Sequence, residues 1–381
     1  MRKTVALLAL NPFTNDSRVL KEALSLRDSG YAPSVIALHE NSLAETDSTQ
    51  GIPVHRIRLF TRNWPKIMPI QILKYVEWLW RAFLLARKSD YLHCNDLQTL
   101  PIGAVARLIR GKRVRIVYDA HEFEINDVAN EAEWRIRIKA FMERALIKFA
   151  DTTITVSDSI AVEYARMYAI EKPELVMNCP PLIPELQANL FRERLGIAAD
   201  SIIFLYQGGL APGRGIEKII RTFNRLPNHQ RVVVFMGYGP MVEDVLQAAA
   251  NSPNIFFHPA VAPDVLPKFT ASADVGLCLI QNLCRSYYYC LPNKLFEYLM
   301  ASLPVVVSDL PELRRMVADH AIGWIVPENQ GSAIDDVIQQ IDRQALASRK
   351  QAIRLCRDRY HWGEQEIKLL QAYKKLGTEL V

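Results

Sequence analysis

A glycine-rich segment in the second half of the chain carries a cation at a spacing suited to phosphate. Residues 206–215 read Tyr-Gln-Gly-Gly-Leu-Ala-Pro-Gly-Arg-Gly, and Gly208 and Gly209 follow an apolar run that predicts a strand. Glycine lets backbone N–H groups approach a ligand closely, and the N-terminus of the next helix attracts anions. Arg214 adds a fork of donors that matches phosphate. The segment therefore predicts a phosphate-binding loop, and a tight turn with a surface arginine fits the same residues.

A second segment, residues 291–306, places a lysine and a glutamate at the start of a predicted helix. Asn293 has the side chain of an N-cap, which would put Lys294 and Glu297 in the first turn. Lys294 would then face a diphosphate, and Glu297 could accept hydrogen bonds from a ribose diol. Leu295 would point to the core. The alternative is a surface Lys294–Glu297 pair, which contributes only a few tenths of a kcal/mol.

Polar residues also follow predicted strands in the first half of the chain. His121 and Glu122 come just after the run 115–118, and Asp96 follows the run 91–93. Ligands of parallel α/β sheets bind at the carboxyl ends of strands, so these positions favour chemistry. A hydrogen-bonded structural histidine is the alternative for His121. The first strand-to-helix loop, residues 11–18, adds Asn15, Asp16 and Arg18 at the same kind of position.

The elements that must position these residues alternate between strand and helix throughout the chain, which predicts doubly wound parallel sheets. The break at Pro180, Pro181 and Pro184 predicts a domain boundary. We therefore expect a Rossmann-like domain over 1–183 and a second over 184–361, with the active site in the cleft between them. Strands are predicted at 5–10, 34–38, 91–93, 115–118, 153–156, 174–177, 202–206, 231–235, 255–257, 275–279, 305–308 and 324–326. Helices are predicted at 16–29, 70–87, 99–109, 133–149, 159–167, 215–224, 241–250, 265–271, 293–301, 312–318 and 330–342.

Composition sets limits on the class of protein. Of the 381 residues, 50% are apolar, and the formal net charge is +5, an excess too small to indicate nucleic acid. The six cysteines show no zinc-ligand spacing, so we expect reduced thiols in the core. The apolar run 5–10 ends at Asn11 and Pro12, which favours a buried strand over a signal peptide. These features predict a cytoplasmic protein.

Two basic helical segments that carry aromatic residues, 62–88 and 133–148, could contact an anionic membrane. Such a contact would suit a lipid-linked acceptor and a position at the inner face of the plasma membrane. Helices packed on a sheet with solvated outer faces explain the same pattern.

Together the motifs resemble the retaining GT-B glycosyltransferases of family four, the group 1 glycosyltransferases. The resemblance covers nearly the whole chain and includes residues 236–240 (Met-Gly-Tyr-Gly-Pro), 273–277, 323–327 and 362–365. Each motif is weak alone, and their order and spacing are specific. Similar proteins end in a helix that crosses back to the N-terminal domain, which is here expected over 362–381.

The resemblance implies that the C-terminal domain holds a nucleotide-diphosphate sugar as co-substrate. Glu297 takes the place of the ribose-binding glutamate and Arg214 that of a diphosphate-binding lysine. Lys294 belongs to a Pro-x-Lys-x-x-Glu variant and also faces the diphosphate, while His121 lies near the donor sugar. His121, Arg214 and Lys294 are thus the expected catalytic residues. The remaining donor-nucleotide contacts are expected at Gly208, Gly209, Gly237, Tyr238, Leu295 and Glu297, and the sugar or acceptor contacts at Asn15, Asp16, Arg18, Asp96, Glu122, Tyr289 and Asn293.

Two positions depart from the family pattern. Tyr289 stands where the family often has a second glutamate, eight positions before Glu297, and Gly209 stands where a second basic residue is common. Both departures concern contacts with the donor sugar and the diphosphate. A nucleotide-sugar epimerase, a glycogen-type phosphorylase or a non-catalytic nucleotide-sugar-binding subunit would use the same layout, although a phosphorylase is usually far longer.

The expected reaction is transfer of a sugar to a hydroxyl group of a saccharide or lipid-linked saccharide, with retention of configuration. The pathways it would suit are bacterial polysaccharide, O-antigen or glycolipid assembly. Arg214 and Lys294 would stabilise the leaving diphosphate, so neither a metal nor another cofactor is expected.

Overall fold

The computed structural model describes residues 2–226, 230–327 and 333–378. The chain divides into two compact units, each described here by itself. Unit 1 contains Met1–Met177 and Gln365–Val381, and unit 2 contains Asn178–Glu364. The division after Met177 precedes Pro180 and Pro181, the residues that suggested a boundary from sequence.

Unit 1 is built on a sheet of eight described strands in the order β3-β4-β2-β1-β5-β6-β7-β8. All neighbours pair in parallel except β3 and β4, an antiparallel edge pair. Strands β1, β5 and β6 are buried along almost their whole length, as expected for a parallel sheet covered on both faces. The strands are β1 Thr4–Leu8, β2 Ala32–Leu38, β3 Thr46–Thr49, β4 Ile52–Ile57, β5 Tyr91–Asn95, β6 Arg115–Ala120, β7 Thr152–Thr155 and β8 Glu174–Leu175.

Helices of unit 1 connect these strands, and the last helix of the chain joins them. Leu369, Ala372, Tyr373 and Leu376 of that helix are buried, so its apolar side completes the core of unit 1. The first five helices are α1 Ser17–Asp28, α2 Met68–Ala86, α3 Leu100–Arg110, α4 Glu133–Leu146 and α5 Asp158–Tyr168.

Unit 2 repeats the architecture with six described strands in the order β11-β10-β9-β12-β13-β14, all parallel. These are β9 Ile202–Gly209, β10 Arg231–Tyr238, β11 Ile255–Pro259, β12 Val275–Cys278, β13 Val305–Ser308 and β14 Gly323–Val326. The remaining helices are α6 Leu190–Leu195, α7 Ile216–Arg225, α8 Val242–Asn251, α9 Leu266–Thr270, α10 Arg285–Tyr288, α11 Asn293–Met300, α12 Pro311–His320, α13 Ala333–Gln340, α14 Arg343–Cys356 and α15 Trp362–Thr378.

The predicted doubly wound α/β class is confirmed in both units. The sequence missed β3, β4, α6, α10 and α14. It placed most other boundaries within two or three residues, and the predicted start of one helix at 330 lies outside the described residues.

The prediction that Asn293 caps α11 is wrong. Pro292 holds the extended cap position, with φ −74° and ψ 146°, and Asn293 is the first helical residue. The first turn of α11 therefore has no acidic residue, because Glu297 is the fifth helical residue, one position further along than expected. Leu295 is buried, as predicted.

In the described part of the chain, every helix is too short or too polar to pass through a bilayer. All six cysteines lie in that part and carry free thiols, five of them buried.

Candidate active site

The carboxyl ends of β9 and β10 bring four of the predicted residues together in unit 2. Gly208 pairs with Gly237 and Gly209 with Tyr238 in the parallel register. A Cβ at position 237 would lie 1.9 Å from the carbonyl oxygen of Gly208, so only glycine allows this approach. Gly208 and Gly209 are exposed, which leaves the backbone at the end of β9 open to a ligand.

The loop after β9 turns sharply into α7 and presents Arg214. Gly215 caps α7 with φ +82°, and a Cβ there would lie 2.2 Å from the carbonyl oxygen of Leu279. This glycine is thus required by both backbone conformation and space. The guanidinium of Arg214 lies 4.4 Å from the ring centre of Tyr287, a cation–π distance.

Lys294, in the first turn of α11, reaches the same strand end. Its Nζ lies 3.7 Å from the ring centre of Tyr206, and a Cβ on Gly208 would lie 3.8 Å from that Nζ. Burial, together with the nearby Arg214 charge, lowers the pKa of the Lys294 ammonium to about 8 against the opposing effects of Cys278 and Glu297. The two predicted cations, Arg214 and Lys294, are therefore close enough to influence each other.

Glu297 is held against the end of β9 by Gln207. The Gln207 Nε2 donates to Glu297 Oε2 at 2.5 Å, while Gln207 Oε1 accepts from Thr270 Oγ1 at 2.8 Å. Tyr298, the next residue of α11, is buried, and its hydroxyl accepts a hydrogen bond from the backbone N–H of Gln207 at 3.1 Å. These bonds fix the height of α11 above the sheet and with it the carboxylate of Glu297.

The other two predicted residues of this unit lie on either side of Pro292. Asn293 is exposed, and Tyr289 is half-buried with its ring 5.0 Å from that of Tyr288. Residue 289 ends the short helix α10, which the sequence did not predict.

Arg214 and Lys294 share an uncommon state for half-buried cations. Within residues 2–226, 230–327 and 333–378, neither side chain forms a salt bridge or a hydrogen bond, and the near partners of both are tyrosine rings. Cations that are partly desolvated and lack a counter-ion favour an anionic ligand. Together with the exposed glycine backbone, they can stabilise a diphosphate.

Unit 1 places its predicted polar residues around a buried ion pair. Arg18 of α1 donates to both carboxylate oxygens of Asp119 on β6, from Nε at 2.9 Å and from Nη2 at 2.8 Å. Its Nη1 donates to the Val176 carbonyl at 2.7 Å. Arg18 is only 3% exposed and Asp119 is fully buried, so this cation is committed inside the unit.

His121 lies between two carboxylates. Its Nδ1 is 3.3 Å from Asp96 Oδ1, and its Nε2 is 3.3 Å from Asp119 Oδ2 and 3.2 Å from Asn95 Oδ1. A neutral imidazole has one N–H, so carboxylates at both nitrogens favour the doubly protonated ring. Burial alone would lower the pKa of His121, but Asp96 and Asp119 outweigh it and raise this pKa to about 10.

Asp96 and Asp16 complete the edge of this network, near the solvent. Asp96 has φ +64°, an uncommon conformation for a residue other than glycine. Burial raises the pKa of Asp96, and the charges of Asp119 and Asp16 add to the increase. Asp16 also caps α1, accepting from the Val19 amide at 3.1 Å. Asn15 and Glu122 are exposed.

Three further members of the network were missed by the sequence analysis: Glu22, His93 and Tyr373. Glu22 Oε1 lies 3.1 Å from Arg18 Nε, and Glu22 Oε2 lies 3.5 Å from His93 Nε2. The other nitrogen of His93 pairs with the Tyr373 hydroxyl at 2.8 Å. An arginine and a glutamate at i and i+4 on α1, and a histidine inside an apolar strand, were the available signals.

The pKa shifts in this network favour charge on some of its groups and the neutral form of others. Burial, with the Asp119 charge, raises the pKa of Glu22 well above its usual range, which favours the neutral carboxyl group. Burial lowers the pKa of His93, which favours the neutral imidazole. Despite its burial, Asp119 has a pKa well below its usual range because Arg18 and His121 stabilise the carboxylate. The result is one anion between two cations.

Ligand atoms of Glu22, Asp119 and His121 lie within 4.8 Å of one another, a spacing that a metal ion could use. Arg18 already occupies the electrostatic position of a cation there, because it bonds Asp119 and lies beside Glu22. The donor set therefore fits a network that positions His121 better than it fits a metal centre.

Comparisons with known proteins agree with this division of the chain. Residues 17–180 match the family described as glycosyl transferase 4-like domain, and residues 187–355 match the glycosyl transferases group 1. An uncharacterised glycosyltransferase of Methanocaldococcus jannaschii is 26% identical over 307 residues, which are 76% of this chain and 75% of that protein.

Two solved structures share the fold over nearly the full length. Sucrose-phosphate synthase from Thermosynechococcus elongatus has a TM-score of 0.79 at 17% identity, covering 99% of this chain and 100% of that one. Anabaena HepE, solved in complex with UDP-glucose, has a TM-score of 0.75 at 15% identity, covering 98% and 99%. At these identities, the likeness establishes the fold of each unit as that of GT-B glycosyltransferases.

Proposed function

The chain belongs to the group 1 glycosyltransferases, and we propose that it transfers a sugar from a nucleotide-diphosphate sugar to a hydroxyl group with retention of configuration. As a member of this family it is a transferase enzyme. We propose that unit 2 binds the donor and that unit 1 contributes His121 and the acceptor contacts.

One observation carries the donor assignment: Arg214 and Lys294 lie at the open end of β9 without a counter-ion among the described residues. A nucleotide diphosphate supplies that charge. Glu297, fixed by Gln207, lies one turn along α11, where it can accept from the ribose hydroxyls. The UDP-glucose bound by HepE supports the same class of donor here.

Charge placement explains how the site would accelerate the reaction. The bond between the anomeric carbon and the diphosphate oxygen breaks, and the acceptor oxygen bonds that carbon on the same face. The proton of the acceptor hydroxyl passes to the leaving phosphate oxygen. Arg214, Lys294 and the N-terminus of α11 stabilise the negative charge that develops on the diphosphate, and they are positioned before the reaction begins.

We propose that this reaction needs no metal, because the two cations of unit 2 take over the charge neutralisation. Full activity after exhaustive treatment with a chelator is the expected result. Loss of activity that magnesium restores would contradict the proposal.

For the acceptor, we propose a saccharide or a lipid-linked saccharide in bacterial polysaccharide, O-antigen or glycolipid assembly, at the cytoplasmic face of the membrane. Transfer of the sugar to a lipid-linked acceptor at a bilayer would suit a protein that binds the bilayer only at its surface.

The donor is tested by thermal shift with nucleoside diphosphates and their sugars. A ligand of the native state raises the melting temperature, and the rise is larger for a tighter or more concentrated ligand. We expect one base to stabilise the protein and its sugar conjugate to be hydrolysed slowly to the nucleoside diphosphate. No shift with any of them would refute the donor site.

Donor turnover also separates the competing activities. Conversion of the nucleotide sugar to its epimer without an acceptor would indicate an epimerase. Binding without hydrolysis or transfer would indicate a non-catalytic subunit, a role that Tyr289 in place of a glutamate makes worth testing. With an acceptor in hand, an NMR spectrum that shows an inverted anomeric centre would refute retention.

A further inference from the structure

Helix α2 of unit 1 exposes apolar side chains along its whole length. We call the row of residues at i, i+4 spacing the α2 ridge. Val76 is 51% exposed and Trp80 60% exposed, fractions unusual for apolar residues in the middle of a long helix. At 1.5 Å per residue the row extends for roughly 24 Å. Its members are Met68, Ile72, Val76, Trp80 and Leu84.

Other residues of α2 supply its contact with the core of the unit. Trp78, Ala82, Phe83 and Ala86 are buried. The exposed α2 ridge therefore adds little to the core of unit 1. An apolar row of this length in water lowers solubility unless another surface covers it.

Positive charge surrounds the ridge. Residues 62–88 contain six lysines and arginines and a single acid, Glu77. Glu77 is turned back on the preceding loop, where it accepts from the Phe60 amide at 2.6 Å and the Thr61 hydroxyl at 2.6 Å. Lys66, Arg87 and Lys88 are exposed at the two ends of the helix. The segment thus combines a large apolar row with a cationic border.

The neighbouring helices extend this surface. Helix α2 packs beside α3, and α3 beside α4. Trp134, Ile138 and Phe141 form a second exposed apolar row on α4, and Phe141 is 76% exposed. The side chain of Arg137 between them is exposed too. Apolar rows with exposed cations therefore recur on one group of adjacent helices.

We propose that the α2 ridge is a docking surface for an anionic phospholipid bilayer, on which α2 lies parallel to the membrane plane. Trp80, Val76 and Ile72 enter the boundary between headgroups and acyl chains, and Lys66, Arg87 and Lys88 contact the lipid phosphates. The inference deepens the proposed function, on which it rests only for the idea that a lipid-linked acceptor is presented there.

Charge distinguishes the bilayer from a second copy of the chain as the occupant. A symmetric dimer would place the same patch against itself, so the exposed cations Lys66, Arg87 and Lys88 of one copy would face those of the other. An anionic lipid surface complements both the apolar row and its border. The ridge therefore fits lipid better than it fits itself.

The test is co-sedimentation of the full chain with vesicles of phosphatidylglycerol mixed equally with phosphatidylcholine, compared with pure phosphatidylcholine. We expect binding to the anionic vesicles only, with weaker binding as salt is added. Replacing Lys66, Arg87 and Lys88 together by glutamine should lower the partition coefficient roughly 100-fold. Val76→Gln with Trp80→Gln should lower it about tenfold or more.

The control is Leu355→Gln with Ile367→Gln, which removes two exposed apolar side chains from α14 and α15 and should leave vesicle binding unchanged. Slow donor hydrolysis in water serves as the second readout. Donor hydrolysis should persist in all these variants. Absence of hydrolysis in the parent protein would count against the proposed function and not against docking. Equal binding of parent and ridge variants to vesicles, or a dimer in solution that Val76→Gln with Trp80→Gln dissociates, would overturn the docking proposal.

Discussion

Charged side chains cluster at the strand ends of both units, but they differ in whether an opposite charge lies beside them. In unit 1, Asp119 is bonded by Arg18 and flanked by His121, so each of these buried charges lies beside an opposite charge. In unit 2, Arg214 and Lys294 face tyrosine rings and, among the described residues, have no carboxylate partner. The first arrangement is complete without a ligand, and the second is not.

This contrast separates positioning from binding. A buried ion pair with good geometry costs stability mainly when one partner is removed, because the other is left charged in the core. A cation without a counter-ion costs stability in the free protein and regains it when an anion binds. We therefore expect substitutions in the unit 1 network to lower stability more than ligand affinity. Substitutions of the unit 2 cations should lower ligand affinity more than stability.

The largest effect should come from Asp119→Asn. The change leaves Arg18 buried without its anion, and the free energy of unfolding of unit 1 should fall by about 3–5 kcal/mol. Urea denaturation followed by circular dichroism measures the loss. The matched control is Asp309→Asn, which removes the partner of Arg314 in an exposed pair and should change stability far less. Equal effects would show that the unit 1 network is not a buried ion pair in solution.

Lys294→Met should show the opposite behaviour. Turnover of the nucleotide sugar should slow, because the transition state loses about 2.7–4 kcal/mol of stabilisation, by analogy with loss of a preorganised hydrogen-bond donor. The melting temperature of the free protein should stay constant or rise, because a desolvated cation has been removed. Lys350→Met, at a half-buried lysine of α14, is the control for both measurements. A large loss of stability in Lys294→Met would mean that the cation has a structural role.

The pH dependence of donor binding sharpens the comparison further. The pKa of Lys294 is about 8 in the free protein, so the ammonium loses its proton as pH rises through 8. A nucleoside diphosphate binds the protonated form better, so its affinity should fall between pH 7 and pH 9. Isothermal titration at several pH values measures this. Lys294→Arg keeps its charge over this range and should give a flatter profile.

The smallest expected change concerns the ionisation of His121. Its pKa of about 10 lies above the usual value of 6.5, so its contribution to stability is complete below pH 6.5 and is lost as pH rises through 10. NMR titration of the imidazole should show a doubly protonated ring at pH 8. Asp96→Asn should lower this pKa, while Glu122→Gln, one residue along on the exposed side, should not.

Much of the fold could be predicted from sequence because buried parallel strands are continuous apolar runs. The run 202–206 and its neighbours stand out for that reason. The β3–β4 pair was missed because β3, Thr46–Thr49, is polar and mostly exposed, and has no apolar alternation. Asn293 misled because a good capping side chain follows a proline whose fixed φ already suits the cap position.

The sites divide in the same way. Gly208, Arg214 and Lys294 could be found because glycines and cations cluster in short segments of the chain. Contacts of the buried network join residues such as His93 and Tyr373 that lie 280 positions apart, and no local pattern links them. Sequence reasoning placed Arg18 in an open loop, whereas its bonds to Asp119 bury it.

The course of the chain through unit 1 has a consequence for synthesis on the ribosome. Tyr373, which completes the core of that unit, is translated only after the whole of Asn178–Glu364. At 5–20 residues per second, that interval lasts roughly 10 to 40 s. The first domain to emerge is therefore the last to be finished, and until α15 arrives the apolar surface that α15 covers stays exposed to chaperones.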